Sequence, residues 1–231
     1  TAIHAAQSGH PGGSLSVCEI LTYLYQEHMN LDASKPDDPD RDRLVLSKGH
    51  AAPMLYRNLA EKGFFPVEEM MTLRRMGGLA GHPSMHTPGV EMPGGPLGQG
   101  FPAAQGMAMA LKLNGSPAKV YAVLGDGELD EGVIWETAMS APKFKLDNLI
   151  AIVDYNKVQL DGTTDEVMPL GDLSAKWEAF GWTVLECDGH DLEALDFCIS
   201  VADGAVGAPT VIIANTVKGK GVSFMEGKSA W

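Results

Sequence analysis

Two residues with oxygen side chains stand thirty positions apart in this chain, Asp126 in Gly125-Asp126-Gly127 and Asn156 in Val153-Asp154-Tyr155-Asn156. Each follows a short apolar run rich in β-branched residues, at 120–124 and at 149–153. Such runs, bracketed by Gly and Asn, predict buried strands of a parallel sheet rather than helices. Ligands of open α/β sheets bind beyond the carboxyl ends of the strands. The intervening segment is long enough for a crossover helix, so both oxygen ligands are expected at the same edge. Oxygen ligands suit Mg²⁺, which keeps waters and completes its shell from substrate phosphates. Gly127 allows backbone to approach a phosphate closely. The pattern therefore predicts a diphosphate held through a metal ion. The plain alternative is two turn residues, because Asp and Asn favour strand exits. An EF-hand starting at Asp126 fails on spacing, with Glu131 where that loop needs Gly and Thr137 where it needs Glu.

The elements that must position these groups follow from periodicity. Helices are expected at 19–29, 51–62, 67–76, 101–113, 131–141, 172–180 and 191–202. Further strands are expected at 43–46, 183–187 and 210–215. In the 101–113 helix, Ala103, Ala104, Gly106, Ala108 and Ala110 would allow close packing on the sheet. Asp191 is expected to cap the helix that follows it. Residues 35–42 form a Pro/Asp-rich loop and 77–100 a long Gly/Pro-rich one. A loop of that length inside a compact domain is usually functional or disordered. Strands alternating with helices give an α/β fold, a parallel sheet with helices on both faces. No linker or repeat divides residues 1–231, which read as one domain.

Composition narrows the function. At 45% hydrophobic and 20% charged residues, the 231-residue chain has the make-up of a soluble globular protein. A formal net charge of −13 argues against a nucleic-acid partner and means that an anionic ligand needs a local cation. No apolar run reaches membrane-span length. Cys18, Cys187 and Cys198 lack metal-type spacing and read as reduced thiols of a cytoplasmic protein. Without a secretory signal or an initial Met, trimmed ends are expected.

Gly-Asp-Gly followed after about thirty residues by Asn resembles the thiamine diphosphate motif. Four more segments resemble transketolase signatures and occur in that family's order. They are Ser8-Gly9-His10-Pro11-Gly12, then Asp40-Arg41-Asp42-Arg43 leading to Leu46-Ser47-Lys48-Gly49-His50, then Gly81-His82-Pro83, then Gly95-Pro96-Leu97-Gly98-Gln99-Gly100. The resemblance covers nearly the whole chain. It implies the diphosphate-side (PP-type) domain of the thiamine diphosphate-binding fold, with Mg²⁺ or Ca²⁺. It also implies transfer of a two-carbon ketol unit from a ketose phosphate to an aldose phosphate, in the pentose phosphate pathway.

By that resemblance, Asp126, Asn156 and the carbonyl of Val158 are metal ligands. His50, Gly127 and Asn156 lie near the diphosphate, and backbone at Gly95 and Leu97 meets the aminopyrimidine. His10 and His82 are the catalytic-site histidines that contact sugar hydroxyls. Imidazole suits that work because it can donate or accept near neutral pH. His86 matches no family position and reads as solvated. Glu131 and Glu136 are expected at a subunit interface, where a solvated acidic face is the plain alternative. Residues 218–221 either cover the cofactor entrance or form a flexible charged loop.

The family's proton-relaying Glu comes from a second α/β domain, which this chain is not expected to contain. A further diphosphate-contacting His is expected just beyond Trp231. The coherent expectation is the amino-terminal half of a split transketolase, active only with a carboxy-terminal partner, in a homodimer or heterotetramer, or else the isolated cofactor-diphosphate domain of a transketolase. Rival expectations are a deoxyxylulose phosphate synthase, a dihydroxyacetone synthase or a 2-oxoacid dehydrogenase component. A non-catalytic cofactor-binding module is the rival from outside enzymes.

Overall fold

The computed structural model describes residues 1–231. Seven strands occur, β1 (Arg43–Leu46), β2 (Val120–Gly125), β3 (Leu149–Tyr155), β4 (Val158–Gln159), β5 (Gly162–Thr163), β6 (Thr183–Asp188) and β7 (Thr210–Asn215). Five form one sheet in the order β1-β2-β3-β7-β6, every pair parallel. β4 and β5 make a small antiparallel hairpin. No helix is long and apolar enough to cross a membrane.

Alternation along each strand builds two cores. Tyr121, Val123, Ile150, Ile152 and Ile212 face one side of the sheet. There they meet helices Cys18–Thr22, Ala52–Lys62 and Leu192–Asp203 through residues such as Leu21, Leu55 and Leu195. Val120, Ala122, Leu124, Leu149, Val153 and Val211 face the other. There they meet Gly100–Leu113, Gly132–Lys143 and Leu173–Ala179. Burial on both faces is why these strands read as unbroken apolar runs. Of the small residues in Gly100–Leu113, Ala104 and Ala108 do face the sheet, whereas Gly106 and Ala110 are exposed. Asp191 caps its helix, accepting from the Glu193 and Ala194 N–H groups.

Two local expectations need correction, and one helix is unexpected. The helix expected at 19–29 is α-helical only over Cys18–Thr22 and continues as a π-helix over Tyr23–His28. The π-helical stretch buries Tyr23, Leu24 and Tyr25. A helix also precedes it, Pro11–Ser16, begun by Pro11 at a position where its missing N–H is harmless. Its two glycines hide it from propensity. The helix expected at 67–76 is a 3₁₀ segment ending at Thr72. Leu73, 1% exposed, leaves helical geometry to reach the core. Arg74 then turns to φ 58°, and its N–H donates to Leu79 O at 2.7 Å. Helices Ala2–Ala6 and Thr164–Val167 and the β4–β5 hairpin are too short to show periodicity.

Beneath Gly132–Lys143, Phe101, Trp135, Trp177, Phe180 and Trp182 cluster, with Trp177 and Trp182 ring centroids 5.0 Å apart. Trp177 is fully buried and its indole N–H has no partner. Trp177→Ala is expected to cost about 3–5 kcal/mol in urea unfolding. Trp177→Phe should cost much less, because it also removes an unsatisfied donor.

Candidate active site at the carboxyl edge of the sheet

Parallel pairing decides what meets at this edge. Gly125 of β2 is in register with Asp154 of β3, and Asp154 with Ala214 of β7. Asp126 and Asn156 therefore leave neighbouring strands side by side. The Lys157 N–H, next to Asn156, donates to Asp126 Oδ2 at 2.5 Å. β1 delivers Ser47, Lys48 and His50 to the same place, and β7 delivers Thr216 and Lys218. Of these, Lys48, His50, Asp126, Asn156 and Lys218 border a cavity of about 980 Å³. His10, His50, Gly95, Leu97, Asp126, Gly127, Glu131, Asn156 and Val158 all line it.

The cavity floor is built on buried charge. Lys48, 1% exposed, forms an ion pair with Asp154, which is 0% exposed. Asp154 also accepts from Ser16 Oγ at 2.6 Å and from Thr216 Oγ1. Burial works to raise the Asp154 carboxyl, yet Lys48 and these hydrogen bonds hold it below the usual carboxylate range. Asn156 Nδ2 donates to Asp154 Oδ2 at 3.3 Å, and its Oδ1 accepts from the Val158 N–H at 3.1 Å. The Asn156 amide thus has a defined orientation.

Asp126 is placed differently. Its oxygens accept only backbone N–H groups, from Gly127 at 2.8 Å and Lys157 at 2.5 Å. Lys48, the cation that favours its ionised form, is already paired with Asp154. Burial first, and then the Asp154 charge, push the Asp126 carboxyl up to about 7. With Glu128 also buried, three carboxylates share this floor with one buried lysine. Buried charge of one sign demands a counter-ion. A divalent cation fits on those grounds. No three His, Cys, Asp or Glu side chains gather to hold a metal. The candidate donors are one carboxylate, one amide oxygen and the Val158 carbonyl. This is a hard-oxygen set that would leave positions for water and phosphate.

The three motif histidines, distant in sequence, come together: His10 and His50 line the cavity, and His82, which does not, lies beside His10. The His10 ring centroid lies 5.6 Å from that of His50 and 6.4 Å from that of His82. Burial, with Lys48 beside it, pushes His50 down to about 3. Burial and the Arg74 charge also hold His10 and His82 below the ordinary imidazole value. At neutral pH the three rings are uncharged, able to donate from one nitrogen and accept at the other. A side chain at Gly13 would put its Cβ 2.8 Å from the His50 ring, so the start of the Pro11–Ser16 helix must be bare there. His86 is exposed in its loop.

Glu131 is exposed on the cavity rim. Glu136 is not at the cavity. It lies exposed beside Gln105, Met109 and Ser140, in a groove between helices Gly100–Leu113 and Gly132–Lys143. The Gly127 N–H is engaged by Asp126, and a Cβ at Gly127 would meet Gln159 at 2.6 Å. Lys218 lines the cavity and donates to Ser229 O at 3.1 Å. Lys48, Glu128 and Asp154 are site groups that the motifs did not single out. Lys48 and Asp154 stand inside motif segments and Glu128 directly after one, so adjacency was the available signal.

The transketolase thiamine diphosphate binding domain, as a sequence family, matches residues 1–230. A 6-deoxy-6-sulfo-D-fructose transketolase subunit of Clostridium sp. (strain MSTE9) is 52% identical, over 96% of this chain and 82% of that subunit. An apulose-4-phosphate transketolase subunit of Phocaeicola vulgatus is 44% identical, over 99% of this chain and 82% of that subunit. Transketolase of Homo sapiens is 41% identical over 98% of this chain, which spans 36% of that longer protein. The solved transketolase from Leishmania mexicana superposes with a TM-score of 0.94 at 32% identity, covering 99% of this chain and 36% of that one.

A raised carboxyl makes the floor sensitive to pH. Asp126 binds its proton more tightly folded than unfolded, so the metal-free chain loses stability as pH rises from about 4 toward about 7. Asp126→Asn should flatten that loss and raise the melting temperature of the metal-free chain at pH 8. It should also remove any gain in melting temperature from added Mg²⁺. Thermal unfolding across pH, with and without Mg²⁺, checks both.

Proposed function

The chain belongs to the transketolase family through its thiamine diphosphate binding domain, and on that premise we propose that it is the amino-terminal subunit of a split transketolase. Paired with a carboxy-terminal subunit, it transfers a two-carbon ketol unit from a ketose phosphate to an aldose phosphate. The observation that carries this reading is the convergence of three uncharged histidines over a floor with surplus buried carboxylate. Similarity supports the split arrangement, since the two subunit relatives are 52% and 44% identical and the full-length transketolase of Homo sapiens 41%.

Thiamine diphosphate, when bound, supplies the carbanion chemistry that breaks and remakes the ketose C2–C3 bond. The chain's own residues bind and orient. Asp126, Asn156 and the Val158 carbonyl hold Mg²⁺ (or Ca²⁺) against the diphosphate. His50 and the backbone at Gly127 face the same group. Backbone at Gly95 and Leu97 supports the aminopyrimidine. His10 and His82 hydrogen-bond sugar hydroxyls, a task for which neutral imidazole is suited. The proton relay comes from the partner subunit, so the chain alone is inactive. Glu131 and Glu136 lie at subunit interfaces of a homodimer or heterotetramer working in the cytoplasm, in the pentose phosphate pathway.

Ketol transfer from xylulose 5-phosphate to ribose 5-phosphate, with cofactor and Mg²⁺, tests the proposal. The chain is assayed alone and with a carboxy-terminal transketolase subunit. Activity is expected only in the pair. His82→Ala should lower kcat/KM about 10–100-fold, the cost of leaving hydrogen-bonding groups unpaired. Asp126→Ala should abolish Mg²⁺-dependent activity. Full activity from this chain alone would refute the split arrangement. The sugars named for the two subunit relatives belong in the same donor panel.

A further inference from the structure

Glu128 is a fully buried carboxylate at 1% exposure, and nothing in the proposed chemistry uses it. It sits where three separate chain segments meet. Its Oε1 accepts from the Gly98 N–H at 2.7 Å and from Ser47 Oγ. Its Oε2 accepts from the Gly125 N–H at 3.0 Å. Ser47 directly follows β1, Gly125 ends β2 and precedes Asp126, and Gly98 belongs to the long loop that carries Gly95 and Leu97. Every partner is a donor, so the ionised form is the one that satisfies them.

The loop is shaped to reach this carboxylate. Gly98 has φ +82°, and a Cβ there would meet Val133 Cγ1 at 2.7 Å. A Cβ at Gly100 would meet Ser47 Oγ at 2.7 Å. Two missing side chains thus let the loop lie directly against the start of the Gly132–Lys143 helix and the end of β1. Apart from a Gly94 N–H to Pro83 O bond, residues 77–100 carry little regular structure near Gly95. A charged hydrogen bond in a dry site is a strong tether for such a segment.

We propose that Glu128 is a positioning residue that clamps the 95–98 loop to the Gly125-Asp126-Gly127 turn, so that the pyrimidine-side and diphosphate-side supports of one cofactor are held at a set separation. The assignment of those supports rests on the function proposed above; the clamp itself rests on the hydrogen bonds. Glu128 lines the edge of the same cavity, and all of its hydrogen bonds are to the protein, from Ser47, Gly98 and Gly125. Its loss loosens the loop, weakens cofactor binding and leaves sugar binding alone. Glu128→Gln is not conservative here, because the new amide must turn a donor toward a backbone N–H, at Gly98 or at Gly125.

Two readouts on the full chain with its partner subunit test the clamp. The first is hydrogen exchange by mass spectrometry. In Glu128→Gln, peptides covering 95–98 and 125–127 should exchange at least about tenfold faster, with β3 and β7 unchanged. The second is kinetic. KM for thiamine diphosphate should rise roughly tenfold, with sugar KM values within about twofold of wild type. Unchanged exchange, or equal acceleration throughout the sheet, would overturn the clamp. Local acceleration with an unchanged cofactor KM, or with an equal rise in sugar KM, would overturn the positioning role. Ser47→Ala removes one donor without adding one, and it decides by the same readouts if Glu128→Gln does not fold. Exchange needs no turnover, so a failed activity assay would count against the proposed function and leave the clamp still decided.

Discussion

The buried Lys48–Asp154 ion pair is the constraint around which the site is organised. Neither partner is exposed, and a lone charge at that depth would be far too costly to keep. Pairing alone does not satisfy a carboxylate, so Ser16, Thr216 and Asn156 fill its remaining acceptor sites. Those partners come from the Pro11–Ser16 helix, from just after β7 and from just beyond β3. One carboxylate thereby ties together the elements that surround the cavity. The same pair occupies Lys48, which leaves Asp126 with no ion pair of its own. Surplus negative charge on the floor is a consequence of how that lysine is used.

The histidines obey a related logic. His50 stands beside Lys48, and His10 and His82 feel Arg74. Positive neighbours and burial act in the same direction on each ring and keep it uncharged. The site thus divides by charge: an anionic floor suited to a cation, and a wall of neutral imidazoles suited to hydroxyls. An acidic protein with a formal net charge of −13 would hold an anionic cofactor under this arrangement with a metal ion to screen the cofactor from the carboxylates.

The wall opposite the floor is a loop with little regular structure, and a loop is a poor place for exact geometry unless it is tethered. Glu128 and the glycines at 98 and 100 bring that loop down onto the end of β1 and the start of the Gly132–Lys143 helix. Burying yet another carboxylate is a high electrostatic cost for one tether. It is sustained because each of its oxygens finds a donor. Exposed Glu131 at the rim shows how position alone separates acidic residues close in sequence into different physical roles.

Much of the architecture was determined by sequence alone. The five parallel strands, most of the helices, the two-sided burial and the family all followed from apolar runs, alternation and ordered motifs. The tertiary structure decided the rest for identifiable reasons. The π-helical stretch of Tyr23–His28 and the early end of the segment at Thr72 depend on which side chains must reach the core, and local periodicity does not carry that information. The pairing of Gly125 with Asp154 depends on sheet register, and so does the meeting of Asp126 with Lys157. Lys48, Glu128 and Asp154 look like ordinary surface residues in a sequence. Only folding removes them from water, and removal from water is what turns a charge into a structural or chemical device.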